Sequence, residues 1–336
     1  MKIKQLGQTG LKVSEVGLGT MTFGNQANQE TAFAIMDVAD RAGVTFFDTA
    51  DVYPLGADEV QRGSTEEIVG RWLQERGARE RIVLATKCAG SMGDSPNDAG
   101  LSRKHVISAC EQSLRRLQTD YIDLYQVHWP DSSTPIEETL HAMDDLVRVG
   151  KVRYIGCSNF PAWQLADALW TSKLANIASF VSMQPRYNIV FRMIEDELLP
   201  LCRAHGVGVI VYNPLAGGVL TGRYRQARAV EEGTRFGLQR AGELYQHRYW
   251  NEAVFDVVER LGNFLEQRGK NITHVALAWV LAQQDITSAI LGASKPGQLE
   301  DSLRGVGLTL DEDELRACDD AWFSLPRERD PQVARR

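Results

Sequence analysis

The stretch Phe46-Phe47-Asp48-Thr49-Ala50-Asp51-Val52-Tyr53 decides the fold prediction. It continues a short apolar run that begins at Val44, and a run of this length, rich in β-branched and aromatic residues, is typical of a buried strand. The run ends at Asp48, where a buried carboxylate is costly unless a partner compensates its charge. We therefore expect a cation close to Asp48, with the phenol of Tyr53 a few residues further along the chain.

Two later apolar runs also end in residues that carry reactive groups. Residues 82–86 are followed by Lys87, and residues 122–127 are followed by His128. An acid, a tyrosine, a lysine and a histidine therefore lie at or just after the ends of successive predicted strands. These are the groups that a protein needs to donate a proton to a carbonyl oxygen during reduction.

The recurrence of strands and helices indicates the fold class. Eight predicted strands, each followed by a helix, predict an α/β protein of the (β/α)8 TIM-barrel class, whose active site lies at the carboxyl ends of the strands. We expect an N-terminal β-hairpin over residues 2–16 and extra C-terminal helices. Residues 1–336 are predicted to form a single domain with a mobile tail after about residue 326, and residues 213–249 to be a long irregular segment.

An open, doubly wound sheet is the alternative fold. A dinucleotide-binding sheet of that kind carries the motif GxGxxG directly after its first strand. Here Gly17, Gly19 and Gly24 give the pattern GxGxxxxG, which does not fit this motif. The glycine pattern therefore favours the barrel over the open sheet.

The composition excludes several classes of function. The net charge of −7 argues against a broad basic surface for nucleic acid. The five cysteines lack the spacing of a metal or redox site, which indicates reduced thiols and no bound metal. The N-terminal residues lack the apolar core of a signal peptide, and no apolar run is long enough to span a bilayer. We expect a cytoplasmic protein that does not contact a membrane.

Proton donation gives each of four side chains a role. A free tyrosine has a pKa of about 10 and is a weak acid, but a nearby ammonium such as that of Lys87 favours the phenolate of Tyr53. Asp48 would keep Lys87 charged and oriented, and His128 could donate a hydrogen bond to the substrate oxygen. Each residue taken alone could also have a purely structural role, either in forming a turn or as a polar group that makes its hydrogen bonds within the fold. The pattern on three consecutive strand ends favours the catalytic explanation.

Six segments resemble the aldo-keto reductase family, and the resemblance covers nearly the whole chain. They are Gly17-Leu18-Gly19-Thr20-Met21, Phe47 to Tyr53, Ala85-Thr86-Lys87, Asp120 to Trp129, Gly150 to Phe160, and Leu291-Gly292-Ala293-Ser294. The chain is most similar to bacterial reductases and to the related potassium-channel β subunits. The resemblance implies that Asp48, Tyr53, Lys87 and His128 form the catalytic tetrad of the family.

The resemblance also implies a nicotinamide cofactor, NADPH with NADH as the alternative. Ser158, Asn159 and Gln184 would hydrogen-bond the nicotinamide carboxamide, and Tyr212 would stack on the nicotinamide ring. Asp48, Gly19, Thr20 and Met21 would lie beside the nicotinamide. The residues implied along the pyrophosphate are Pro214, Leu215, Gly217 and Gly222. Those implied around the adenosine are Gly292, Ser294, Gln298 and Asp301.

The sequence departs from the family pattern at the adenosine end. Family members often have a basic residue where Gln298 stands, and Glu-Asn where Asp301-Ser302 stands. We therefore expect the 2′-phosphate to rest on Lys295 or on an arginine of the long irregular segment, Arg223 and Arg225 first. The choice between NADPH and NADH stays open, as does the role of residues 213–249 as a lid over the cofactor or a mobile loop.

Three classes of function remain after this reasoning. The leading one is an NADPH-dependent reductase of aldehydes or ketones. In either case the substrate is a small carbonyl compound. The second is a cofactor-binding sensor or partner-binding module on the same fold. The third, a metal-dependent barrel hydrolase or isomerase, would need several ligands at strand ends, and only Asp48 and His128 qualify. The physiological substrate and the oligomeric state are not determined by the sequence.

Overall fold

An antiparallel hairpin precedes a closed barrel in the computed structural model, which describes residues 1–56, 58–224, 230 and 233–326. Strands β1 (Ile3–Gln5) and β2 (Lys12–Ser14) form the hairpin. Eight parallel strands then follow one another around the barrel in chain order, and the last closes against the first. They are β3 (Val16–Gly19), β4 (Phe46–Asp48), β5 (Val83–Cys88), β6 (Ile122–Val127), β7 (Val152–Ser158), β8 (Phe180–Gln184), β9 (Gly208–Val211) and β10 (Ile286–Gly292). The predicted TIM barrel with an N-terminal hairpin is confirmed.

Helices connect the barrel strands, and further helices follow the last strand. They are α1 (Gln29–Arg41), α2 (Ser64–Glu75), α3 (Arg103–Leu117), α4 (Ile136–Arg148), α5 (Ala162–Ala175), α6 (Leu198–His205), α7 (Gln239–Tyr249), α8 (Glu252–Gln267), α9 (Ile272–Ala282), α10 (Pro296–Leu303) and α11 (Glu312–Phe323). The helices α10 and α11 are the extra C-terminal helices that the sequence predicts.

Local sequence signals fix several helix starts. The Asn28 side chain accepts a hydrogen bond from the Thr31 amide at the start of α1, and Ser102 caps α3 in the same way. Asp311 and Glu314 form a reciprocal capping box at the start of α11. Such caps satisfy amide groups that the first turn of a helix leaves without partners.

The hairpin and the barrel share one apolar core. Leu6 and Val13 of the hairpin region are fully buried, and they cluster with Phe46, Ala85 and Leu124 of the barrel strands. Each of these barrel residues lies nearer the start of its strand than the polar residues described below. The core therefore supports the barrel from one end and leaves the carboxyl ends of the strands to the polar side chains.

The chain divides into two compact units. The first comprises Met1–Pro185, Ile194–Val211 and Asp285–Leu299, and it contains the hairpin and every barrel strand. The second comprises Arg186–Met193, Tyr212–Gln284 and Glu300–Arg336. That residues 1–336 form a single domain stays a prediction. The tail after residue 326 and Arg225 lie outside the described residues.

Two element predictions are wrong in part. The sequence predicts a helix over residues 194–204, but the helix begins only at Leu198, after a short 3-10 turn at Met193–Glu195. Pro200 explains the later start, because proline is tolerated in the first turn of a helix but disrupts its interior.

The segment over residues 213–249 is not irregular throughout. It contains a 3-10 turn at Ala216–Thr221 and the helix α7. Tyr245 and Tyr249, one helical turn apart, are both buried, and Gln246 donates a hydrogen bond of 2.7 Å to the carbonyl of Phe236. The many charged residues of the segment hide this helical spacing in the sequence.

Candidate active site

An ion pair between Lys87 and Asp48 forms the centre of the candidate site. The Nζ atom of Lys87, fully buried on β5, lies 2.5 Å from Oδ2 of Asp48 and donates a second hydrogen bond of 2.8 Å to the carbonyl of Thr49. The expected cation beside the strand-end carboxylate is therefore present. Since β5 extends to Cys88, Lys87 lies one residue inside the strand and points its amine across to β4.

Two amide side chains complete the surroundings of Asp48. Gln184 donates to Oδ1 of Asp48 at 2.8 Å, and Gln126 donates to the same atom at 3.2 Å. Gln126 was not identified from the sequence, although a signal exists. It lies two positions before His128, and alternate residues of a strand face the same side of the sheet.

Tyr53 and His128 lie beside this ion pair. Their rings meet edge to face with centroids 5.7 Å apart, and the Lys87 ammonium lies 5.1 Å from the centroid of the Tyr53 ring. The ring of Trp129 lies 4.4 Å from that of His128. The structure therefore brings together all four residues that the sequence singled out for proton donation.

The electrostatics of the site favour a neutral histidine. Burial, together with the positive charge of Lys87, holds the pKa of His128 well below its usual value. Its Nδ1 atom is buried and has no hydrogen-bond partner among the described residues. Burial also lowers the pKa of Lys87, and the charge of Asp48 is the largest influence against this. At neutral pH the imidazole is uncharged and can donate one hydrogen bond.

Ser158 and Asn159, at the end of β7, are hydrogen-bonded to Gln184 and His128 of the same site. The Ser158 hydroxyl donates to the carbonyl of Gln184 at 2.7 Å. The Asn159 amide donates to the carbonyl of His128 at 2.9 Å and to Ser158 Oγ at 3.0 Å. The three predicted carboxamide-binding residues are thus hydrogen-bonded into one cluster next to His128.

The end of β3 lies beside Asp48. Gly19 pairs with Asp48 in register, and both the amide and the hydroxyl of Thr20 donate to the Asp48 carbonyl at 3.0 Å. The carbonyl of Met21 accepts a hydrogen bond of 3.1 Å from the amide of Leu55. The Thr20 hydrogen bonds hold the first predicted cofactor segment against the backbone of Asp48.

The predicted adenosine-binding residues of the first unit lie between the end of β10 and the first turn of α10. Gln298 Oε1 accepts hydrogen bonds from the amide and the hydroxyl of Ser294 at 2.9 and 3.2 Å, and from the Lys295 amide at 3.2 Å. Gln298 therefore caps its own helix, and the Lys295 side chain is exposed. Gly292, at the end of β10, pairs with Gly19 in register.

The remaining predicted cofactor residues belong to the second unit. They are Tyr212, Pro214, Leu215, Gly217, Gly222 and Asp301. Gly217 has a positive φ of 69°, and a Cβ atom there would lie 2.9 Å from a ring atom of Tyr245, so the turn requires glycine. The carboxylate of Asp301 lies 3.1 Å from Nε2 of His274.

The described part of the chain contains no group of three or more His, Cys, Asp or Glu side chains that could hold a metal ion. None of its helices is both long enough and apolar enough to cross a membrane.

Comparison with known proteins identifies the family. The sequence profile described as "Aldo/keto reductase family" matches residues 15–322. The chain is 41 % identical over 327 residues to the "Uncharacterized oxidoreductase YrpG" of Bacillus subtilis, covering 96 % of each protein. It is 37 % identical over 309 residues to a "Probable voltage-gated potassium channel subunit beta" of Arabidopsis thaliana, covering 91 % of each. It is 34 % identical over 321 residues to the "Aldo-keto reductase YhdN" of Bacillus subtilis, covering 94 % of this chain and 92 % of that protein.

The chain belongs to the aldo/keto reductase family, and it is an oxidoreductase. Membership indicates a nicotinamide cofactor and a small carbonyl compound as the other reactant. The barrel, the buried ion pair and the adjacent tyrosine and histidine agree with this class of enzyme.

Proposed function

We propose that this protein reduces aldehydes or ketones to alcohols, with NADPH as the reductant and Tyr53 as the proton donor. One observation carries the proposal. Lys87, paired with Asp48 at 2.5 Å, holds its ammonium 5.1 Å from the ring centroid of Tyr53, and His128 meets the same ring from the side.

Each of the four side chains has a separate task in the proposed reaction. Asp48 fixes the position and the charge of Lys87. The ammonium stabilises the phenolate that Tyr53 becomes after it gives its proton to the carbonyl oxygen. The neutral imidazole of His128 donates a hydrogen bond to the same oxygen, and this bond strengthens as negative charge develops there.

The polar residues next to these four suit a nicotinamide carboxamide. Ser158 offers a hydroxyl, and Asn159 and Gln184 offer amide groups, all within one hydrogen-bonded cluster. A carboxamide both donates and accepts hydrogen bonds, which such a set can match. When bound, the reduced nicotinamide supplies a hydride to the carbonyl carbon. For Tyr212, Pro214, Leu215, Gly217, Gly222 and Asp301, contact with the cofactor is a proposal that rests on the family resemblance.

We propose NADPH over NADH because an exposed cation lies just before α10. Lys295 places an exposed cation next to Ser294, whereas Gln298 is neutral and its carbonyl oxygen already accepts three hydrogen bonds. An ammonium attracts a phosphate as a point charge. We therefore assign the 2′-phosphate to Lys295. Gly292 and Ser294 would border the adenosine.

A partner-binding module is the second candidate function. The observation in its favour is the 37 % identity to a protein that is named as a probable potassium-channel β subunit. A cofactor-binding sensor of this kind would keep the site and turn over slowly or not at all.

Cofactor oxidation tests the proposal against this alternative. The purified protein is mixed with NADPH or NADH and a panel of aldehydes and ketones, and loss of reduced cofactor is followed with the Tyr53→Phe variant as the control. Turnover of at least one carbonyl by the parent and its loss in the variant would support the reductase. Tight NADPH binding without turnover of any carbonyl would support the binding module.

The compartment also stays a proposal. All five cysteines are free and buried, which is the usual state of cysteine in a reducing compartment. We propose a cytoplasmic location on this basis. Fractionation of cells that express the tagged protein would test it, because recovery outside the cytoplasmic fraction would contradict the proposal.

A further inference from the structure

The chain after β4 continues beside β5 until it reaches Tyr53. The amide of Thr49 donates to the carbonyl of Ala85 at 2.9 Å, and the amide of Asp51 donates to the carbonyl of Lys87 at 3.2 Å. These two hydrogen bonds extend the parallel pairing of β4 with β5 beyond the end of β4. The backbone that leads to the proposed proton donor is therefore aligned on the strand that carries the lysine.

Val52, the residue before Tyr53, packs directly against Gly90, which lies two residues past the end of β5. A Cβ atom added to Gly90 would lie 2.1 Å from Cγ1 of Val52 and 3.3 Å from its Cβ atom. Two carbon atoms in favourable contact are about 3.5 to 4.0 Å apart. Gly90 does not have a positive φ. The close approach of Val52, and not the backbone conformation, is therefore what requires glycine at this position.

Rotation of the Val52 side chain does not make room for a side chain at residue 90. Valine is β-branched, so its χ1 angle is restricted. Its Cβ atom does not move when χ1 changes, and this atom alone would lie 3.3 Å from a methyl group on residue 90. A methyl group there therefore has to displace backbone, either in the loop after β5 or around Val52.

The loop after β5 is held by hydrogen bonds on both sides of Gly90. The carbonyl of Ala89 accepts from the amide of Gly100 at 3.0 Å, and the carbonyl of Ser91 accepts from Nη1 of Arg62 at 2.6 Å. Because Arg62 belongs to the chain between β4 and α2, the second bond also ties the two loops to each other. The loop after β5 would lose these bonds if it moved away from the chain after β4.

Trp129 also faces Gly90, but with more room. The added Cβ atom would lie 3.5 Å from Cη2 of Trp129, which is an ordinary contact distance. The Trp129 ring in turn lies 4.4 Å from the ring of His128. A methyl group on residue 90 would therefore press on Val52 and leave Trp129 and His128 in place. Of the two groups proposed to contact the carbonyl oxygen, only Tyr53 would be displaced.

We propose that Gly90 is a positioning residue for Tyr53. Because Gly90 has no side chain, the loop after β5 packs on Val52 and holds the phenol of the following residue beside Lys87. The inference rests on the proposed carbonyl reductase function only for its effect on turnover, since it concerns where the phenol lies in the protein without cofactor or substrate.

Crystal structures of the parent and of Gly90→Ala, both without cofactor, test this directly. The variant adds one methyl group at the contact with Val52. We expect Oη of Tyr53 to move relative to Nζ of Lys87 by more than about 0.5 Å, the tolerance within which catalytic groups have to be held. The Trp129 ring should superimpose on that of the parent.

Two further variants separate the contact with Val52 from a general disturbance of the loop. Val52→Ala/Gly90→Ala removes the Cγ atoms that the new methyl group meets, so the Tyr53 hydroxyl should return towards its parental position. Gly93→Ala is the matched control in the same loop. A Cβ atom there would lie 2.5 Å from Oδ2 of Asp98, and it should leave the Tyr53 hydroxyl where it is in the parent.

Turnover gives a second measurement. In a parent that reduces carbonyl compounds, Gly90→Ala should lower kcat by roughly 10- to 100-fold, since a displacement of about 1 Å can cost that much. KM and the affinity for NADPH should change little, because the contact involves only the segment that carries the proton donor. Val52→Ala/Gly90→Ala should recover most of the parental kcat. A purely structural role predicts lower thermal stability without this recovery.

The proposal is overturned if the Tyr53 hydroxyl of Gly90→Ala stays within about 0.5 Å of its parental position. It is also overturned if the displacement persists in Val52→Ala/Gly90→Ala, because the effect then does not pass through Val52. Should Gly90→Ala fail to fold, Val52→Ile enlarges the same contact from the other side, and an unmoved Tyr53 hydroxyl in that variant decides against the proposal. A parent without turnover contradicts the proposed function and leaves the crystal structures to decide the positioning role.

Discussion

The Nζ atom of Lys87 lies 2.5 Å from Oδ2 of Asp48, and neither side chain is more than 5 % exposed. Removing one partner of a buried ion pair leaves the other charge without compensation, at a cost of roughly 3 to 5 kcal/mol. Lys87→Met should therefore lower the free energy of unfolding by about that amount and strongly reduce turnover. Chemical denaturation measures the first effect. Lys104→Met, at an exposed position, is the control, and equal stability of the two variants would contradict the account of the pair.

Replacing Tyr53 by phenylalanine removes the proposed proton donor and retains the ring. We expect kcat to fall by roughly 10² to 10⁴, the usual contribution of a positioned general acid, with little change in NADPH affinity. Single-turnover kinetics and a binding titration measure the two quantities. Tyr121→Phe, which changes a tyrosine on the outside of the barrel, serves as the control. A Tyr53→Phe enzyme with near-normal kcat would remove this residue from the mechanism.

The low pKa of His128 predicts a loss of stability in mild acid. The folded state binds a proton at His128 less readily than the unfolded state does. The contribution of His128 to the free energy of unfolding is therefore fully present above the unfolded pKa of about 6.5. It should decrease as the pH falls below that value, by at most about 1.4 kcal/mol for each pH unit. His128→Gln should be less sensitive to acid than the parent over this range. Burial also lowers the pKa of His105. His105 is present in both proteins, so its contribution to the pH dependence of stability is the same in each. Identical pH profiles would mean that His128 is not held neutral.

The cofactor phosphate gives a prediction at Lys295. A charge-assisted hydrogen bond contributes on the order of 1.5 to 3 kcal/mol, so Lys295→Ala should weaken NADPH by roughly 10- to 150-fold and leave NADH almost unchanged. Because the contact is remote from the reacting carbon, kcat should change little. Titration of both cofactors measures this, and Lys295→Arg should retain most of the NADPH affinity. Equal weakening of NADH and NADPH would show that Lys295 does not distinguish the phosphate.

Regular elements and strand-end residues could be predicted from the sequence because they depend on local patterns. The bounds of β6 agree with the apolar run over residues 122–127, and those of α8 agree with the helix that the sequence predicts over residues 252–267. Asp48, Lys87 and His128 follow from where apolar runs end. The late start of α6 was missed because the effect of Pro200 depends on which turn of the helix it occupies. The helix α7 was missed because its buried tyrosines are surrounded by charged residues.

Contacts between distant elements could not be predicted in the same way. Glu66 and Glu67 look alike in the sequence, as adjacent acids in the first turn of a helix. The structure buries Glu66 completely against Arg116 and exposes half of Glu67. Burial of a single side chain depends on how α2 packs on α3, and no local pattern contains that information. Gln126, by contrast, could have been found from its alternation with His128.

Transfer of a labelled hydride tests the central claim most directly. The parent protein is incubated with NADPH deuterated at the reactive nicotinamide carbon and with a carbonyl compound that the oxidation screen identifies as a substrate. Mass spectrometry should find an alcohol with one deuterium on the former carbonyl carbon, in an amount equal to the NADP+ formed. Oxidation of the cofactor without a deuterated alcohol, or no oxidation with any carbonyl compound, would contradict the proposed function.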